Sequence, residues 1–134
     1  MDLSVKQNNY LVFTSSLFLI PGTYVLIYKK SIFSMITYSI SITSMNYWLK
    51  PSKENLYYDQ LTSYTGCFFY LVNSVYYLPT VEIKVLAVSS VLLYYLLFCL
   101  SCHLYQAKND KWIICHIIFH LTVFASKWIL YIHL

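Results

Sequence analysis

Two histidines four residues apart are the clearest chemical signal in this sequence. His116 and His120 form an H-x-x-x-H pair. On an α-helix, residues four apart share one face with their Cβ atoms about 6 Å apart, so both imidazoles can reach one metal ion. Zinc is the usual ion where nitrogen ligands leave one coordination position open for water. The pair is therefore a candidate zinc site, and the alternative is that each ring has only a packing or hydrogen-bonding role.

The composition indicates which elements must position these residues. The chain has 134 residues, of which 59% are hydrophobic and 10% charged, whereas ordinary soluble domains have about 25% charged residues. A domain of this size leaves a large share of its surface uncovered, and so few charges cannot coat it. All nine basic residues are scattered lysines, unlike the clustered charge of a nucleic-acid binder. Residues 1–134 are therefore predicted to form a single integral membrane domain that binds no nucleic acid.

Five apolar stretches are long enough to cross a bilayer as helices, which takes about 20 residues. Tyrosine and tryptophan crowd the ends of these stretches, as they do at membrane interfaces. Lipid excludes open strands, and the stretches show no two-residue alternation, so a barrel is disfavoured. The predicted fold is all-α, a polytopic transmembrane helix bundle with spans at 10–28, 31–49, 57–78, 85–105 and 112–133.

Five spans bring several polar residues to one side of the membrane. Ser44 lies one turn before the end of the second span, Asp59 in the first turns of the third and His103 at the end of the fourth. The histidine pair opens the fifth span on the same side. A carboxylate beside two histidines can ligate a metal or act as general base for metal-bound water. The alternative for Asp59 is an interfacial ion pair with Lys50 or Lys53.

The order of these residues resembles the CREST superfamily of multi-pass membrane hydrolases. That superfamily includes alkaline ceramidases, progestin and adiponectin receptors, and proteins that remodel lipid anchors. It carries S-x-x-x-H late in its second helix, Asp early in the third and H-x-x-x-H early in the last. The matching positions here are Ser44–Trp48, Asp59 and the pair His116 and His120, with Trp112 shortly before the pair. The resemblance covers the second, third and fifth spans.

The resemblance implies hydrolysis of a membrane lipid amide or ester by a zinc ion that three histidines hold. Carried over to this chain, it makes His116 and His120 zinc ligands. It makes Asp59 the catalytic acid/base or water-orienting group and Ser44 a catalytic partner that hydrogen-bonds and helps to orient the same water. Zinc would polarise the substrate carbonyl and activate a bound water. Such a site, enclosed by helices, would receive its substrate sideways from the lipid.

The chain departs from the family pattern at two points. Trp48 stands where the family has its third metal-binding histidine, and the family has about seven helices. His103 is the candidate for the missing nitrogen ligand, and Asp59 is the other candidate for the third ligand, in a two-histidine, one-carboxylate site. The alternative to an enzyme is a catalytically inactive homologue or a small structural or pore-forming membrane protein.

The four cysteines are predicted to lie within or at the edges of spans, where they act as small packing residues. Cys102 and His103 face Cys115 and His116 across one short loop. A metal site of these four residues is a third possibility, and axial ligation of haem by two histidines a weaker one. Chance packing of helix ends is favoured over both.

Overall fold

The computed structural model of the chain describes residues 5–29 and 31–134, and in those ranges it is helical without any strand. The all-α prediction is therefore confirmed. A short π-helical turn at Val25–Lys29 continues α2. The α-helices are α1 Val5–Ser16, α2 Leu19–Tyr24, α3 Phe33–Leu49, α4 Lys53–Tyr77, α5 Val81–Gln106 and α6 Trp112–Tyr131.

The first apolar stretch forms one interrupted rod from α1, α2 and the π-helical turn. Pro21 has no backbone N–H, and its ring would collide with the carbonyl of the residue four positions earlier in a continuous helix. The helix accordingly breaks between Ser16 and Leu19. Phe18 lies in this break, and its side chain is only 2% exposed. The interruption thus places the Phe18 ring inside the bundle, near the middle of this rod.

Short connections place the remaining helices side by side. Ser52 begins α4 by accepting a hydrogen bond from the Asn55 backbone N–H at 3.1 Å. Thr80 begins α5 by accepting one from the Ile83 N–H at 3.4 Å. These side-chain caps satisfy amide groups that would otherwise lack partners at a helix start. Because the loops are short, neighbouring helices alternate in direction. The end of α3, the start of α4, the end of α5 and the start of α6 therefore share one end of the bundle.

Among the described residues, three helical segments are long and apolar enough to cross a membrane. They are Gln7–Lys29, α5 and α6. The prediction of five spans is thus supported for three of its segments. The helix α3 has 17 residues, fewer than the roughly 20 that cross the hydrocarbon core without tilt or thinning. The helix α4 has 25 residues, but its first half is rich in tyrosine and in charged and amide side chains.

Small hydroxyl side chains occupy much of the interior of the bundle. The Ser41 hydroxyl donates to the Ser15 carbonyl across α3 and α1 at 2.8 Å. The hydroxyls of Thr37 and Tyr131 form a hydrogen bond with each other. Large apolar side chains instead cover the outside. Polar contacts between closely packed helices with an apolar exterior are typical of a membrane bundle. Ser15, Ser34, Thr37, Ser41, Ser74 and Ser101 are at most 2% exposed.

Candidate functional site

The histidine pair lies in the first half of α6 and faces the interior of the bundle. His116 is 8% exposed and His120 is 3% exposed. Their ring centroids are 4.8 Å apart, as their spacing of four residues predicts. Two buried imidazoles in contact therefore form the centre of the candidate site.

A threonine of α1 fixes the protonation of the second ring. The Thr14 hydroxyl donates to the Leu11 carbonyl at 3.2 Å, and the same oxygen lies 2.9 Å from Nδ1 of His120. A hydroxyl has one proton to donate, so we assign the proton of this second contact to Nδ1 of the imidazole. Nε2 of His120 then carries a free lone pair.

A serine of α5 gives the first ring the same arrangement. Ser101 donates to the Trp112 carbonyl at 3.4 Å, and its oxygen lies 3.0 Å from Nδ1 of His116. By the same reasoning, His116 donates from Nδ1 and keeps a lone pair on Nε2. Histidines that bind metals are usually oriented in this way, by a hydrogen bond from the nitrogen that does not face the metal. Each ring is therefore oriented so that its Nε2 can accept a proton or a hydrogen bond or can bind a cation.

Asp59 and Ser44 lie together near the pair, on α4 and α3. The Ser44 hydroxyl lies beside the Asp59 carboxyl and 3.0 Å from the Ser15 hydroxyl. Oδ1 of Asp59 is buried and, within the described part of the chain, has no hydrogen-bond partner. This oxygen faces the interior of the bundle and does not form the alternative ion pair with Lys50 or Lys53.

A cavity of about 470 Å³, here called the end cavity, opens at this end of the bundle. Four buried polar atoms without a hydrogen-bond partner among the described residues belong to side chains that line it. Two are donors, Nε1 of Trp48 and Nε1 of Trp112. Two are acceptors, Oδ1 of Asn8 and Oδ1 of Asp59. Buried polar groups normally have partners, so this set indicates a place for water or for a polar ligand.

A second cavity of about 230 Å³, here called the lateral cavity, lies deeper in the bundle. Its walls are mostly apolar and come from α3, α4, α5 and α6. Tyr64 of α4 and Tyr95 of α5 belong to its lining, although they are 60% and 57% exposed. The lateral cavity therefore reaches the outer surface of the bundle between α4 and α5.

The two cavities meet at the predicted site residues. Asp59, Gln60, Phe98 and His116 line both of them, and Ser44 and His120 line the lateral cavity. A molecule with a polar head and an apolar chain would fit with its head in the end cavity and its chain in the lateral cavity. The bond between head and chain would then lie beside Asp59 and His116.

The described residues offer the nitrogen donors that zinc prefers, but they offer too few of them for a catalytic site. Within residues 5–29 and 31–134, no group of three or more His, Cys, Asp or Glu side chains lies close enough to hold a metal ion. His103 is exposed on the last turn of α5 and is not in the lining of either cavity. Trp48 contacts His116 edge-on, with 5.1 Å between ring centroids. Catalytic zinc sites use three protein ligands, and this arrangement presents the two imidazole nitrogens.

The cysteines do not gather around the histidines. All four are free thiols. Cys102 lines the end cavity, whereas Cys99 is exposed on the outside of α5. Cys67 accepts a hydrogen bond from the Tyr94 hydroxyl at 3.3 Å. The partly buried Cys67, Cys102 and Cys115 are compatible with the predicted packing role, whereas Cys99 lies on the outer surface.

Four residues of the site were not identified from the sequence. They are Asn8, Thr14, Ser101 and Lys127. The available signal was a polar residue inside an apolar stretch, but the many serines and threonines of this chain share that signal. Compared with known proteins, the chain matches no family model, no curated protein and no solved structure.

Proposed function

We propose that the chain is a multi-pass membrane protein that binds a membrane lipid, with the polar head in the end cavity and one chain in the lateral cavity. The observation that carries this proposal is that the two cavities share Asp59 and His116 in their linings. One cavity is lined by polar atoms without partners, and the other is apolar and reaches the outside of the bundle. An amphiphile satisfies both environments, whereas water or a purely polar solute satisfies only the first.

Five spans are part of this proposal. Three segments meet the length and polarity of a spanning helix on their own. The helix α3 is about 25 Å long at 1.5 Å per residue, which a modest thinning of the bilayer accommodates. The polar side chains of α4 include the residues that line the cavities. Polar groups in a membrane segment are tolerated where they face a cavity or a neighbouring helix. The polarity of α4 therefore follows from its position at the site.

The polar atoms of the end cavity favour an uncharged head group with both donors and acceptors. Nε1 of Trp48 and Nε1 of Trp112 donate, whereas Oδ1 of Asn8 accepts. Hydroxyl and amide groups provide the matching acceptors and donors. A lipid amide or ester with a hydroxylated head meets these requirements.

Binding is tested with an uncharged amide lipid whose acyl chain carries two bromine atoms. Bromine quenches tryptophan fluorescence on close approach, and Trp48 and Trp112 line the end cavity. We expect saturable quenching in detergent micelles. Val123→Phe, which fills the lateral cavity, should weaken it about tenfold or more, because the added ring takes the place of the chain. Val75→Phe is the matched control, since Val75 is 54% exposed and outside both linings. Equal quenching of both variants and the wild type would refute binding in the lateral cavity.

Hydrolysis of the bound lipid is a second candidate function, and the orientation of the two imidazoles favours it. With Nδ1 protonated, both Nε2 atoms keep a lone pair. Asp59, whose Oδ1 lacks a partner among the described residues, lines the lateral cavity together with both rings. This is the residue set that the resemblance to the CREST superfamily assigns to a zinc-dependent amide or ester hydrolase. A bound zinc ion would activate water for that reaction, and the chain would need a third donor, from His103 or from Asp59.

Metal analysis of the purified protein tests this candidate. The hydrolase requires about one zinc ion per chain, with loss in His116→Ala and His120→Ala and retention in His133→Ala, an exposed histidine near the C-terminal end. Loss in His103→Ala would identify the third ligand, and retention there with loss in Asp59→Asn would identify the carboxylate. A wild-type protein without zinc would refute zinc hydrolysis and leave the lipid-binding proposal standing.

The inactive-homologue alternative has its own test in Trp48→His. Trp48 already contacts His116, so a histidine there can bring a third nitrogen to the pair. If the chain descends from a zinc enzyme that lost one ligand, we expect this variant to bind zinc about tenfold or more tightly than the wild type, since each added ligand strengthens the site. Ion conductance in planar bilayers that does not depend on the histidines would instead support the pore-forming alternative.

A further inference from the structure

A buried lysine lies at the inner part of the lateral cavity. Lys127 is on α6, seven residues after His120, and is 6% exposed. Its Nζ lies over the ring of Phe18, 4.7 Å from the ring centroid. The same ring contacts His120, with 5.6 Å between centroids. Lys127, Phe18 and His120 all line the lateral cavity.

The direction of this side chain is unusual for a lysine so close to a helix end. Lys127 lies about one turn before the end of α6 at Tyr131. Lysines in this position normally extend toward the membrane surface and keep the ammonium group in water. Here the side chain runs back toward the start of the helix, as its contact with Phe18 shows. The ammonium group is therefore directed into the bundle.

The ammonium group has no hydrogen-bond partner. Nζ of Lys127 is buried without one in the part of the chain that the structure describes. The face of Phe18 attracts a cation but supplies no negative charge. Burying an unpaired charge is strongly unfavourable, and buried lysines are otherwise paired. An unpaired lysine that borders a cavity indicates that the cavity receives the missing anion.

We propose that the lateral cavity binds the carboxylate of a single-chain lipid, such as a long-chain fatty acid, with Lys127 as the residue that pairs with it. The proposal rests on the proposed function, in that it places a lipid chain in the same cavity. The carboxylate pairs with Nζ of Lys127, and the chain follows the apolar wall toward the opening between α4 and α5.

Charge and size favour a monocarboxylate over other anionic lipids. One ammonium group neutralises one negative charge, whereas a phosphate monoester carries about 1.5 to 2 negative charges and would leave part of its charge unpaired. A volume of about 230 Å³ is suited to a single acyl chain. A fatty acid is also the acyl product of lipid amide or ester hydrolysis. The same cavity would therefore bind the acyl chain of the intact lipid and the fatty acid released from it.

The test compares two brominated probes of the same chain length, dibromostearic acid and the corresponding uncharged alcohol, by quenching of tryptophan fluorescence in uncharged detergent. We expect the wild type to bind the acid about tenfold or more tightly than the alcohol. Lys127→Met should weaken the acid about 30-fold or more, the effect of removing one partner of a buried charge pair. Binding of the alcohol should change less than about threefold, because methionine keeps the apolar stem.

Lys84→Met is the matched control, because it removes one positive charge at a position outside both cavities. It should leave the binding of both probes unchanged. Equal binding of acid and alcohol by the wild type, or equal weakening of the acid by Lys84→Met and Lys127→Met, would overturn the proposal. Either result would leave the lipid-binding function intact. Absence of saturable quenching by both probes, together with failure of the brominated amide lipid, would refute the proposed function itself.

Discussion

Gly66 determines how closely α4 approaches α3, and Gly66→Ala tests that packing. A methyl group at this position would overlap Cδ1 of Ile40 and lie 3.3 Å from its Cγ1. Overpacking of this kind costs about 1 to 3 kcal/mol. The overlapping atom is the end of a side chain that borders the lateral cavity, so it can turn aside, and the cost should lie near 1 kcal/mol. Alanine also gains about 1 kcal/mol of helix propensity over glycine. The single variant is therefore expected to be close to neutral.

A double-mutant cycle separates these two opposing effects. Ile40→Val removes Cδ1 and by itself should cost about 0.5 to 1.5 kcal/mol. In that background Gly66→Ala keeps its propensity gain without the overlap, so the two changes should couple favourably by about 1 kcal/mol or more. Unfolding by SDS in mixed micelles, followed by tryptophan fluorescence, measures the free energies. Ile36→Val is the matched control, because Ile36 makes only an ordinary contact of 3.7 Å through its Cγ2, which valine retains. Additivity with Ile40→Val within about 0.3 kcal/mol would refute the packing argument.

Three further variants test individual contacts by the same unfolding assay. Ser101→Ala leaves Nδ1 of His116 without its partner, so the free energy of unfolding should fall by about 1 to 3 kcal/mol; no change would contradict this hydrogen bond. Tyr70→Phe removes the hydrogen bond from the tyrosine hydroxyl to the Ser126 carbonyl at 2.8 Å and should cost about 0.5 to 1 kcal/mol; a larger loss would indicate a second role for the hydroxyl. Lys127→Met should stabilise the protein without ligand by about 1 kcal/mol or more, because it removes a buried unpaired charge; destabilisation would show that the ammonium group has a partner.

The helical fold follows from the hydrophobic pattern of the sequence. Proline and polar residues mark each connection, as at Pro51 and Pro79, and the helices between them lie within a few residues of the predicted stretches. The number of helices that qualify as spans was harder to predict. Periodicity and composition describe the whole of a stretch, and α4 includes polar residues that line the cavities, such as Asp59, Gln60 and Ser63. A segment that serves a site deviates from the composition of a segment that only meets lipid.

The relative placement of the site residues was partly accessible from the sequence. The topology predicted that Ser44, Asp59 and the histidine pair would reach one end of the bundle, and they line the two cavities, which share Asp59 and His116. The same reasoning included His103, which is exposed on the last turn of α5. Depth along a helix follows from residue numbers, whereas the face on which a residue lies depends on the rotation of the helix. In a stretch that is apolar on all sides, the sequence does not define that rotation.

Trp48 stands where the CREST pattern has a histidine, and an indole recognises different groups from an imidazole. A histidine would offer a lone pair to a cation, but an indole offers only an N–H donor. Among the described residues, Nε1 of Trp48 and Nε1 of Trp112 are buried without a hydrogen-bond partner. Both side chains line the end cavity, and their rings are stacked. A residue that had merely lost its ligating role would need no polar atom facing the cavity. Two indole donors and the acceptors of Asn8 and Asp59, all on side chains that line the end cavity, instead suit the hydroxyl and carbonyl groups of a lipid head. The geometry therefore favours binding of a lipid over its zinc-dependent hydrolysis. Metal analysis of the purified protein tests the hydrolysis, for which the two imidazoles are oriented.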